Sequence, residues 1–393
     1  MPHILQCHDI VKTDFERGRN CQLYDAAGRR YVDFESGCWS AVLGYCHPRI
    51  NAVMAAQIGN VMHLGTRYPN ALVEDAAISI LDITALGDGK CVLLSSGSEA
   101  VEFGVQAARR ISQRPWLLTF SNSYLAAYGS GGARRAEEWR TLDPRAGDGL
   151  DPSAVLEGIP FERIGGFVFE PGGSGSAEVR FPSGPLVREI ARRVQQAGGL
   201  VVANEITTGL GRTGRWFGFQ HYDIQPDIVA LGKGLGNGYP VSAVAMRPEI
   251  ASALEASGLH YAQSHQNDPL GAAVAREVIA ILQEERWVER GAELGAFFLG
   301  ELQRLGQKHS AVKEVRGRGL LLGLEFRSGA TVISATVFRA LLDRGFLVAC
   351  GTAANYLRFD PSLTMEKDDV IDLVRALDEI LTAANPRQDQ SKE

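Results

Sequence analysis

Residues 200–240 read LVVANEITTGLGRTGRWFGFQHYDIQPDIVALGKGLGNGYP, and this stretch decides the fold. Its apolar runs LVVA and IVAL have the length and the β-branched residues of buried parallel strands. Asn204 and Glu205 follow the first run, so polar side chains emerge at the carboxyl end of that strand. Lys233 follows the second run and has a glycine on each side, which lets a reactant approach its amine closely. The pattern predicts an α/β protein with a candidate reactive lysine, although a GKG tripeptide alone more often marks a solvated loop.

Residues 209–214 of the same stretch have the G-x-G-x-x-G spacing of dinucleotide-binding turns. The residues that follow carry Gly218 and Pro226 and show no helical period, so no helix N-terminus would face a pyrophosphate. Asp227 lies at about the distance expected of a ribose-binding acid, but it precedes the next strand instead of ending it. We therefore reject a nicotinamide dinucleotide site.

Length and composition are typical of a globular protein of more than one domain. A chain of 393 residues is longer than one hydrophobic core usually serves, so we expect about two domains. Hydrophobic residues make up 45% of the chain and charged residues 22%, both ordinary values. The net charge of −6 predicts no basic surface of the kind that nucleic acid requires. Nucleic acid is therefore not an expected partner.

The sequence also argues against membrane and metal partners. No apolar run approaches the roughly 18 residues of a membrane span, and residues 1–20 lack the apolar centre of a signal peptide. The six cysteines are scattered without a C-x-x-C pair, which predicts reduced thiols. The eight histidines show no metal-ligand spacing. We expect a soluble, cytoplasmic protein without a metal site.

Between residues 91 and 246, predicted strands alternate with predicted helices, which is typical of a largely parallel sheet with helices on its faces. Strands are predicted at 91–94, 117–120, 165–170, 200–206, 228–231 and 241–246. Helices are predicted at about 49–64 and 70–81, from residue 97, at 184–197, 269–284, 287–307 and 333–344, and up to residue 384.

The two ends of the chain show a different pattern of predicted strands and helices. Residues 21–48 read as a small antiparallel hairpin that leads into a loop. The terminal third reads as a separate α+β unit, which the hairpin is expected to join in space. We therefore predict a large domain of residues 48–285 and a small domain of residues 1–47 and 286–393. The polar tail 385–393 is expected to fray.

The segment Ser95-Ser96-Gly97-Ser98-Glu99 directly follows a predicted strand. Ser96 and Glu99 have the spacing of a capping box, so a helix is predicted to begin at Gly97. The unpaired amides and the positive dipole end of such a helix favour an anion such as phosphate. A capping box without any ligand is the more frequent meaning of this spacing on its own.

Several segments taken together resemble the class III aminotransferases. In chain order they are LYDAAGRRYVDFESG, GSEAVE, EPGG, ANEITTGLGRTG, PDIVALGKGLGNGYP, SHQNDPL and LRFDPSL. That family consists of pyridoxal-phosphate enzymes of fold type I and includes acetylornithine and other ω-aminotransferases. The resemblance covers nearly the whole chain. It implies fold type I and pyridoxal 5'-phosphate as the cofactor, and it is less specific for the reaction.

The resemblance also assigns residues to the cofactor. Lys233 matches the family lysine that forms a Schiff base with the cofactor aldehyde, since only a primary amine can be exchanged for the substrate amine. The freed amine is the natural base for the substrate α-proton. Gly97 and Ser98 match the amides that hold the cofactor phosphate at a helix start. Tyr124 matches the aromatic residue that stacks on the pyridine ring, and Ile206 matches the aliphatic residue on its other face.

Three further matches concern a neighbouring subunit and the substrate. Ser264 matches a phosphate-binding threonine that the family supplies from the neighbouring subunit, and serine keeps the hydroxyl. This match implies a homodimer with the active site at the subunit interface. Arg358 matches an arginine that binds a substrate carboxylate bidentately. Trp39 lies where the N-terminal loop of the family borders the substrate, so it is either an apolar wall of the pocket or an ordinary buried tryptophan.

Asn204 is the main departure from the family pattern. The family has an aspartate at this position, which pairs with the protonated pyridine nitrogen. The neutral amide of Asn204 can hydrogen-bond that nitrogen but cannot hold a proton on it by charge. The cofactor would then be a weaker electron sink, and transamination needs that sink more than elimination or racemisation does. Asn204 therefore favours a lyase that performs β-elimination, or an amino-acid racemase, as the alternative function.

Two smaller departures lie near the substrate. Leu125 and Ala126 stand where the family has histidine and glycine after the stacking aromatic residue, which removes a polar ring from the pocket. In ornithine- and acetylornithine-type members a second glutamate after the Glu-Pro pair gates the carboxylate arginine. This chain has glycine there, in the stretch that follows Pro171, so Arg358 is expected to lack its gate.

These observations predict an aminotransferase that transfers an amino group between an amino acid or amine and a keto acid through Lys233. A lyase or racemase on the same fold remains the alternative. A cofactor-binding protein without turnover is a third hypothesis, which the intact Lys233 and the intact phosphate site disfavour. The donor and the acceptor are not predicted, because side-chain selection depends on loop positions that no spacing fixes.

Overall fold

The structure is a computed structural model that describes residues 3–8, 10–173, 179–329, 333–351 and 355–384. Two of the sequence-based predictions lie outside these residues. They are the polar tail and part of the segment that would carry the gating glutamate.

A seven-stranded sheet forms the centre of the protein. In spatial order its strands are Lys90–Leu94, Ser242–Met246, Ile228–Leu231, Leu200–Asn204, Ile164–Phe169, Trp116–Phe120 and Trp139–Leu142. Neighbouring strands are parallel except for Ser242–Met246, which is antiparallel to both of its neighbours. The predicted α/β architecture with a mostly parallel sheet is confirmed. The edge strand Trp139–Leu142 is absent from the prediction because four residues with one buried side chain give little periodicity to detect.

Helices pack on this sheet and on the two smaller sheets. Their bounds are Pro48–Ile58, Ala71–Thr84, Gly97–Ser112, Gly129–Ala133, Pro152–Val155, Gly184–Gln196, Pro248–Ala256, Pro269–Glu284, Trp287–Lys308, Ser334–Asp343 and Lys367–Ala384, with 3-10 turns at Phe161–Arg163, Gly218–Tyr222 and Lys233–Gly236. In the part of the chain that the structure describes, no helix combines the length and the apolar character needed to cross a bilayer.

Two predicted elements end earlier than expected. The helix predicted at 49–64 ends at Ile58, because Gly59 and Asn60 follow and both have poor helix propensity. The strand predicted at 200–206 ends at Asn204, because the backbone turns after it and the Gly209 amide closes that turn on the Glu205 carbonyl at 3.0 Å. The early end of this strand leaves Asn204 at the rim of the sheet.

Two four-stranded sheets are built from the ends of the chain. One contains Phe15–Arg19, Gln22–Asp25, Arg30–Asp33 and Phe346–Leu347, and the other contains Val312–Arg318, Leu321–Phe326, Tyr356–Phe359 and Ala349–Gly351. Phe346 and Leu347 pair in parallel with Val32 and Asp33, so strands from opposite ends of the chain share one sheet. The ring of Phe298 packs near this junction, 5.8 Å from the ring of Phe34 between centroids. The domain boundaries at residues 48 and 285 stay a prediction.

The G-x-G-x-x-G segment has a structural role. Its backbone turns through positive φ angles at Leu210, Gly211 and Gly214, and no helix follows it directly. The guanidinium of Arg212, which is 2% exposed, donates to the Leu320 carbonyl at 3.2 Å and to the Ser36 hydroxyl at 3.0 Å. It also donates to the Pro361 carbonyl. Arg212 therefore ties the segment after a central strand to both ends of the chain, and the rejection of a dinucleotide site stands.

We expect Arg212→Met to reduce the free energy of unfolding by about 3 kcal/mol or more, because three buried acceptors lose their donor. Urea unfolding followed by circular dichroism measures the loss. Arg215→Met is the matched control, since Arg215 is exposed and the same substitution there is expected to change stability by about 0.5 kcal/mol or less. Equal losses in the two variants would contradict the assigned role of Arg212.

Candidate active site

A cavity of about 370 Å³ opens beside the carboxyl ends of the central parallel strands. This volume lies in the range of small-molecule sites, about 300–1,000 Å³. The lining residues are Cys38, Trp39, Ser96, Gly97, Ser98, Tyr124, Leu125, Asn204, Ile206, Thr207 and Lys233. The location is the one that open parallel sheets use for ligands, because strand ends and the following loops converge there.

Lys233 is one of the residues that line this cavity. It directly follows the turn after strand Ile228–Leu231 and has a φ of 45°, a left-handed conformation. Burial lowers the pKa of its ammonium from the ordinary value, and the nearby Cys38 and Glu170 act in the opposite direction. Its Nζ lies 3.9 Å from the centroid of the Trp39 ring, within cation–π distance. A lysine in this setting has a larger neutral fraction near neutral pH than a solvated one, which a nucleophile or a base requires.

The helix Gly97–Ser112 begins at the cavity wall. The Ser96 side chain accepts from the Glu99 amide and the Glu99 carboxylate accepts from the Ser96 amide, so the predicted capping box is present. A Cβ on Gly97 would lie 2.8 Å from Cγ2 of Ile206, so only glycine fits where the helix start meets that side chain. The first-turn amides that remain and the helix dipole make this wall suitable for an anionic group.

Asn204 is buried at the end of its strand, with 1% exposure. Its Nδ2 donates to the Tyr124 carbonyl at 3.0 Å, and its Oδ1 accepts from the Ile206 amide at 3.2 Å. One amide hydrogen and one oxygen lone pair remain available on this side chain. Asn204 can therefore orient a heterocyclic nitrogen without adding a charge, while the phenol ring of Tyr124, half exposed, borders the same cavity.

Two buried carboxylates fix the loops around these side chains. Glu170 accepts from the Tyr124 amide at 2.8 Å and from the Thr207 hydroxyl at 3.1 Å. Glu205 accepts from the Thr208 hydroxyl at 2.7 Å, and it also accepts from two backbone amides. Burial raises the pKa of Glu205 to about 7, and these hydrogen bonds act against that rise.

A left-handed turn at residues 36–39 carries Trp39 into the cavity. Four consecutive residues, including Cys38 and Trp39, have φ between 44° and 66°, which is unfavourable for residues other than glycine. The carboxylate of Asp33 holds the turn, accepting from the Glu35 amide at 2.7 Å and from the Gly37 amide at 3.1 Å. Because Asp33 ends a strand of the hairpin, the N-terminal sheet positions one wall of the site.

Arg358 lies behind Trp39. Its guanidinium carbon is 3.8 Å from the centroid of the Trp39 ring, and its Nε donates to Oδ1 of Asp360 at 2.8 Å. Asp360 is fully buried, and among the described residues its Oδ2 has no hydrogen-bond partner. The pKa of the neighbouring Glu35 is raised to about 7, first by burial and then by the charges of Asp360 and Asp33, while Arg358 lowers it. Arg358 is thus already paired with a carboxylate of its own chain.

The structure brings most of the predicted site residues into one place. The cavity is lined by seven of them, namely Trp39, Gly97, Ser98, Tyr124, Asn204, Ile206 and Lys233. Arg358 reaches the cavity only through the Trp39 ring. Ser264 is exposed in the segment before the helix Pro269–Glu284 and does not line the cavity of its own chain.

Sequence reasoning missed Cys38, Thr207 and Asp360. Asp360 could have been found from its spacing, because residues two apart on an extended chain point to the same side and Arg358 is two residues before it. Cys38 and Thr207 carry no such signal, since the left-handed turn and the turn after Asn204 that place them are not visible in the spacing of residue types.

Comparisons with known proteins agree with this geometry. The family model described as "Aminotransferase class-III" matches residues 6–126 and 154–381. The acetylornithine aminotransferase of Methanocaldococcus jannaschii is 27% identical, over 96% of each chain. The 5-aminovalerate aminotransferase of Pseudomonas aeruginosa is 30% identical, over 90% of this chain and 89% of the relative. The crystal structure of acetylornithine aminotransferase from Elizabethkingia anophelis superposes with a TM-score of 0.84 and 26% identity, over 97% of each chain.

The raised pKa of Glu35 makes stability depend on pH. The unfolded carboxyl ionises near its ordinary value of 4.5 and the folded one only near 7, so the unfolded state binds fewer protons between these values and stability falls as pH rises through them. We expect Glu35→Gln to abolish this loss. Relative to wild type, the free energy of unfolding of the variant should be higher at pH 8 than at pH 4.5 by up to about 3 kcal/mol. Urea unfolding at the two pH values measures it.

The exposed Glu16 provides the control, because Glu16→Gln removes a carboxylate from the same sheet without disturbing the buried cluster. If the free energies of unfolding of wild type and Glu35→Gln differ by the same amount at both pH values, Glu35 does not titrate in this range.

Proposed function

Because this chain belongs to the class III aminotransferases, pyridoxal-phosphate-dependent enzymes of fold type I, we propose that Lys233 is its Schiff-base lysine and catalytic base. The observation that carries the assignment is that the largely buried amine of Lys233 shares a cavity with the first residues of a helix, Gly97 and Ser98, whose backbone amides can bind an anion. The recognised family confirms the predicted fold class, cofactor and aminotransferase activity. The relatives named above are aminotransferases, and none is named a lyase or racemase.

The residues of the cavity fit pyridoxal phosphate. When bound, this cofactor supplies an aldehyde for amine exchange and a ring that withdraws electrons from the substrate carbon. We assign its phosphate to the amides of Gly97 and Ser98, where the Gly97–Ile206 contact excludes a side chain. Asn204 would orient the ring nitrogen by a hydrogen bond, and Tyr124 and Ile206 would flank the ring. Lys233 would hold and release the proton of the substrate carbon, helped by the lowered pKa of its amine.

A homodimer is part of the proposal. Ser264 matches a phosphate-binding residue that the family supplies from the neighbouring subunit, and in this chain it is exposed and outside its own cavity. That placement is what a residue serving another subunit requires. The half-exposed rings of Tyr124, which lines the cavity, and Tyr128, four residues later, support the same arrangement, since a second subunit would cover them.

We also propose a cellular location, a domain boundary and a class of amino donor. A cytoplasmic location is supported by the free thiols of all six cysteines, which suit a reducing compartment. A large domain of residues 48–285 is supported by the central sheet, whose strands all fall between residues 90 and 246. Amino-acid or amine donors are supported by the relatives, whose names include a terminal amine in 5-aminovalerate.

Arg358 is proposed as the anchor for a substrate carboxylate, with Asp360 as its competitor. The sequence predicts an arginine without a gate, but the structure pairs Arg358 with the buried Asp360 and covers it with the Trp39 ring. A substrate carboxylate must therefore displace both contacts to reach the guanidinium. Substrates that lack a carboxylate need no such displacement. Trp39 and Asp360 together therefore favour the binding of amine substrates over that of acidic substrates.

The activity is tested with Lys233→Ala and with the exposed Lys90→Ala as its control. Wild-type protein loaded with pyridoxal phosphate should absorb visible light, and borohydride should fix the cofactor on Lys233, as peptide mass spectrometry detects. We expect Lys233→Ala to lose the fixed label and at least about 10³-fold in kcat. Without a keto acid, wild type should convert only a stoichiometric amount of amino donor. Sustained ammonia release would instead establish the lyase alternative.

The role of Asp360 is tested by Asp360→Asn, which keeps the size and removes the charge. We expect the KM for a keto acid such as pyruvate to fall about tenfold, because Arg358 loses its internal counter-charge, with kcat within about threefold. The KM for benzylamine, which has no carboxylate, should stay unchanged. Glu366→Gln removes an exposed carboxylate six residues away and should change neither constant. A keto-acid KM that rises, or does not move, in Asp360→Asn would refute the competition.

A further inference from the structure

A second group of side chains, outside the cavity of Lys233, has the composition of a metal site. His63 lies between the helices Pro48–Ile58 and Ala71–Thr84, whereas His265 and Asp268 directly precede the helix Pro269–Glu284. One ligand atom from each of the three lies within 4.8 Å of the other two. Histidine spacing could not predict this group, because His63 and Asp268 are 205 positions apart in the chain.

Both imidazoles contact the same carboxylate. Nδ1 of His63 lies 2.5 Å from Oδ1 of Asp268, and Nδ1 of His265 bonds to Oδ2 of Asp268. The two imidazole rings are 4.8 Å apart between centroids and inclined at 49°. A carboxylate can only accept, so each Nδ1 donates in this arrangement. Two rings and one carboxylate thus converge on a single small volume.

Asp268 is placed for this convergence and is not used as a helix cap. It occupies the N-cap position of a 16-residue helix, where an aspartate ordinarily accepts from a first-turn amide, yet its side chain makes no capping hydrogen bond. The Asp268 side chain is 13% exposed, whereas those of His63 and His265 are 45% and 61% exposed. The carboxylate is therefore held in place while a hydrated ion can reach both imidazoles.

We propose that His63, His265 and Asp268 bind a divalent transition-metal ion, with zinc as the expected occupant. Two imidazole nitrogens and a carboxylate oxygen form a donor set that zinc accepts at about 2.0–2.2 Å, with water in the open position. Such bonds place ligand atoms about 3.3 Å apart in a tetrahedral site. The 2.5 Å hydrogen bond has to open by less than about 1 Å to reach that separation. Binding requires the lone pair of each Nδ1, so the ion takes the place of the proton that each ring now shares with Asp268.

The proposed site has a consequence for the cofactor. Ser264 directly precedes His265, so an ion on His265 and Asp268 would fix the segment that carries the Ser264 hydroxyl. We expect the bound ion to slow the loss of cofactor from the enzyme. This consequence rests on the proposed role of Ser264, whereas ion binding itself does not.

Calorimetric titration with zinc chloride tests the proposal. The protein is loaded with cofactor, stripped of metal with a chelator, and kept in a buffer without free phosphate. We expect one zinc ion per chain in wild type, and at least tenfold weaker binding in His63→Gln and in His265→Gln. His260→Gln replaces an exposed histidine of the same segment and should bind zinc as wild type does. Cobalt(II) in place of zinc should give visible d–d bands in wild type that His265→Gln lacks.

Two outcomes overturn the proposal. The first is wild type that binds no zinc, in which case the cluster is only a pair of hydrogen bonds that pin the loop. The second is equal binding by wild type and by the His63→Gln/His265→Gln double variant, which would place the ion elsewhere. Thermal unfolding of the variants without metal confirms that they fold. A failed Lys233 experiment leaves the zinc titration interpretable, because the two sites share no residue.

Discussion

The site depends on one constraint: the amine of Lys233 must be shielded from water and still be accessible to a reactant. Burial disfavours the ammonium and lowers its pKa, and the Trp39 ring stabilises whatever positive charge remains. The amine stays accessible because it stands on a left-handed residue flanked by glycines at the end of a parallel strand. Parallel strands make this possible, since their carboxyl ends bring Asn204 and Lys233 to the same edge of the sheet.

The distribution of charge in the site distinguishes this chain from the pattern it resembles. At the position proposed to face the ring nitrogen this chain has the neutral Asn204 in place of the family aspartate, whereas a buried aspartate, Asp360, stands beside the proposed carboxylate anchor Arg358. Under the proposed assignments, negative charge is absent where it would activate the cofactor and present where it would oppose an acidic substrate. With these assignments, both features would favour amines whose proton is readily removed over substrates that depend on a carboxylate anchor. The aminotransferase family membership shows that the neutral Asn204 does not require a change of reaction class.

The predicted residues that line the cavity come from the family resemblance, whereas the order of most strands and helices could be predicted from apolar periodicity and short motifs. The capping box at Ser96 and Glu99 is an example, since two residue types at a fixed spacing determine where the helix begins. The spacing of Arg358 and Asp360 places the two side chains on one side of an extended chain, whereas the His63–Asp268 contact could not be predicted with the same rules. That contact joins segments 205 positions apart, which only the tertiary fold brings together.

The parallel pairing of Phe346 and Leu347 with the N-terminal hairpin affects how the chain folds during synthesis. The hairpin is translated before Phe346 and Leu347. One edge of its strand Arg30–Asp33 pairs with Gln22–Asp25, but the other edge has no partner until more than three hundred further residues have been translated. Through this interval the edge is open to pairing with another nascent chain. The exposed Arg29 and Arg30 at the start of that strand are charges of the kind that discourage such pairing.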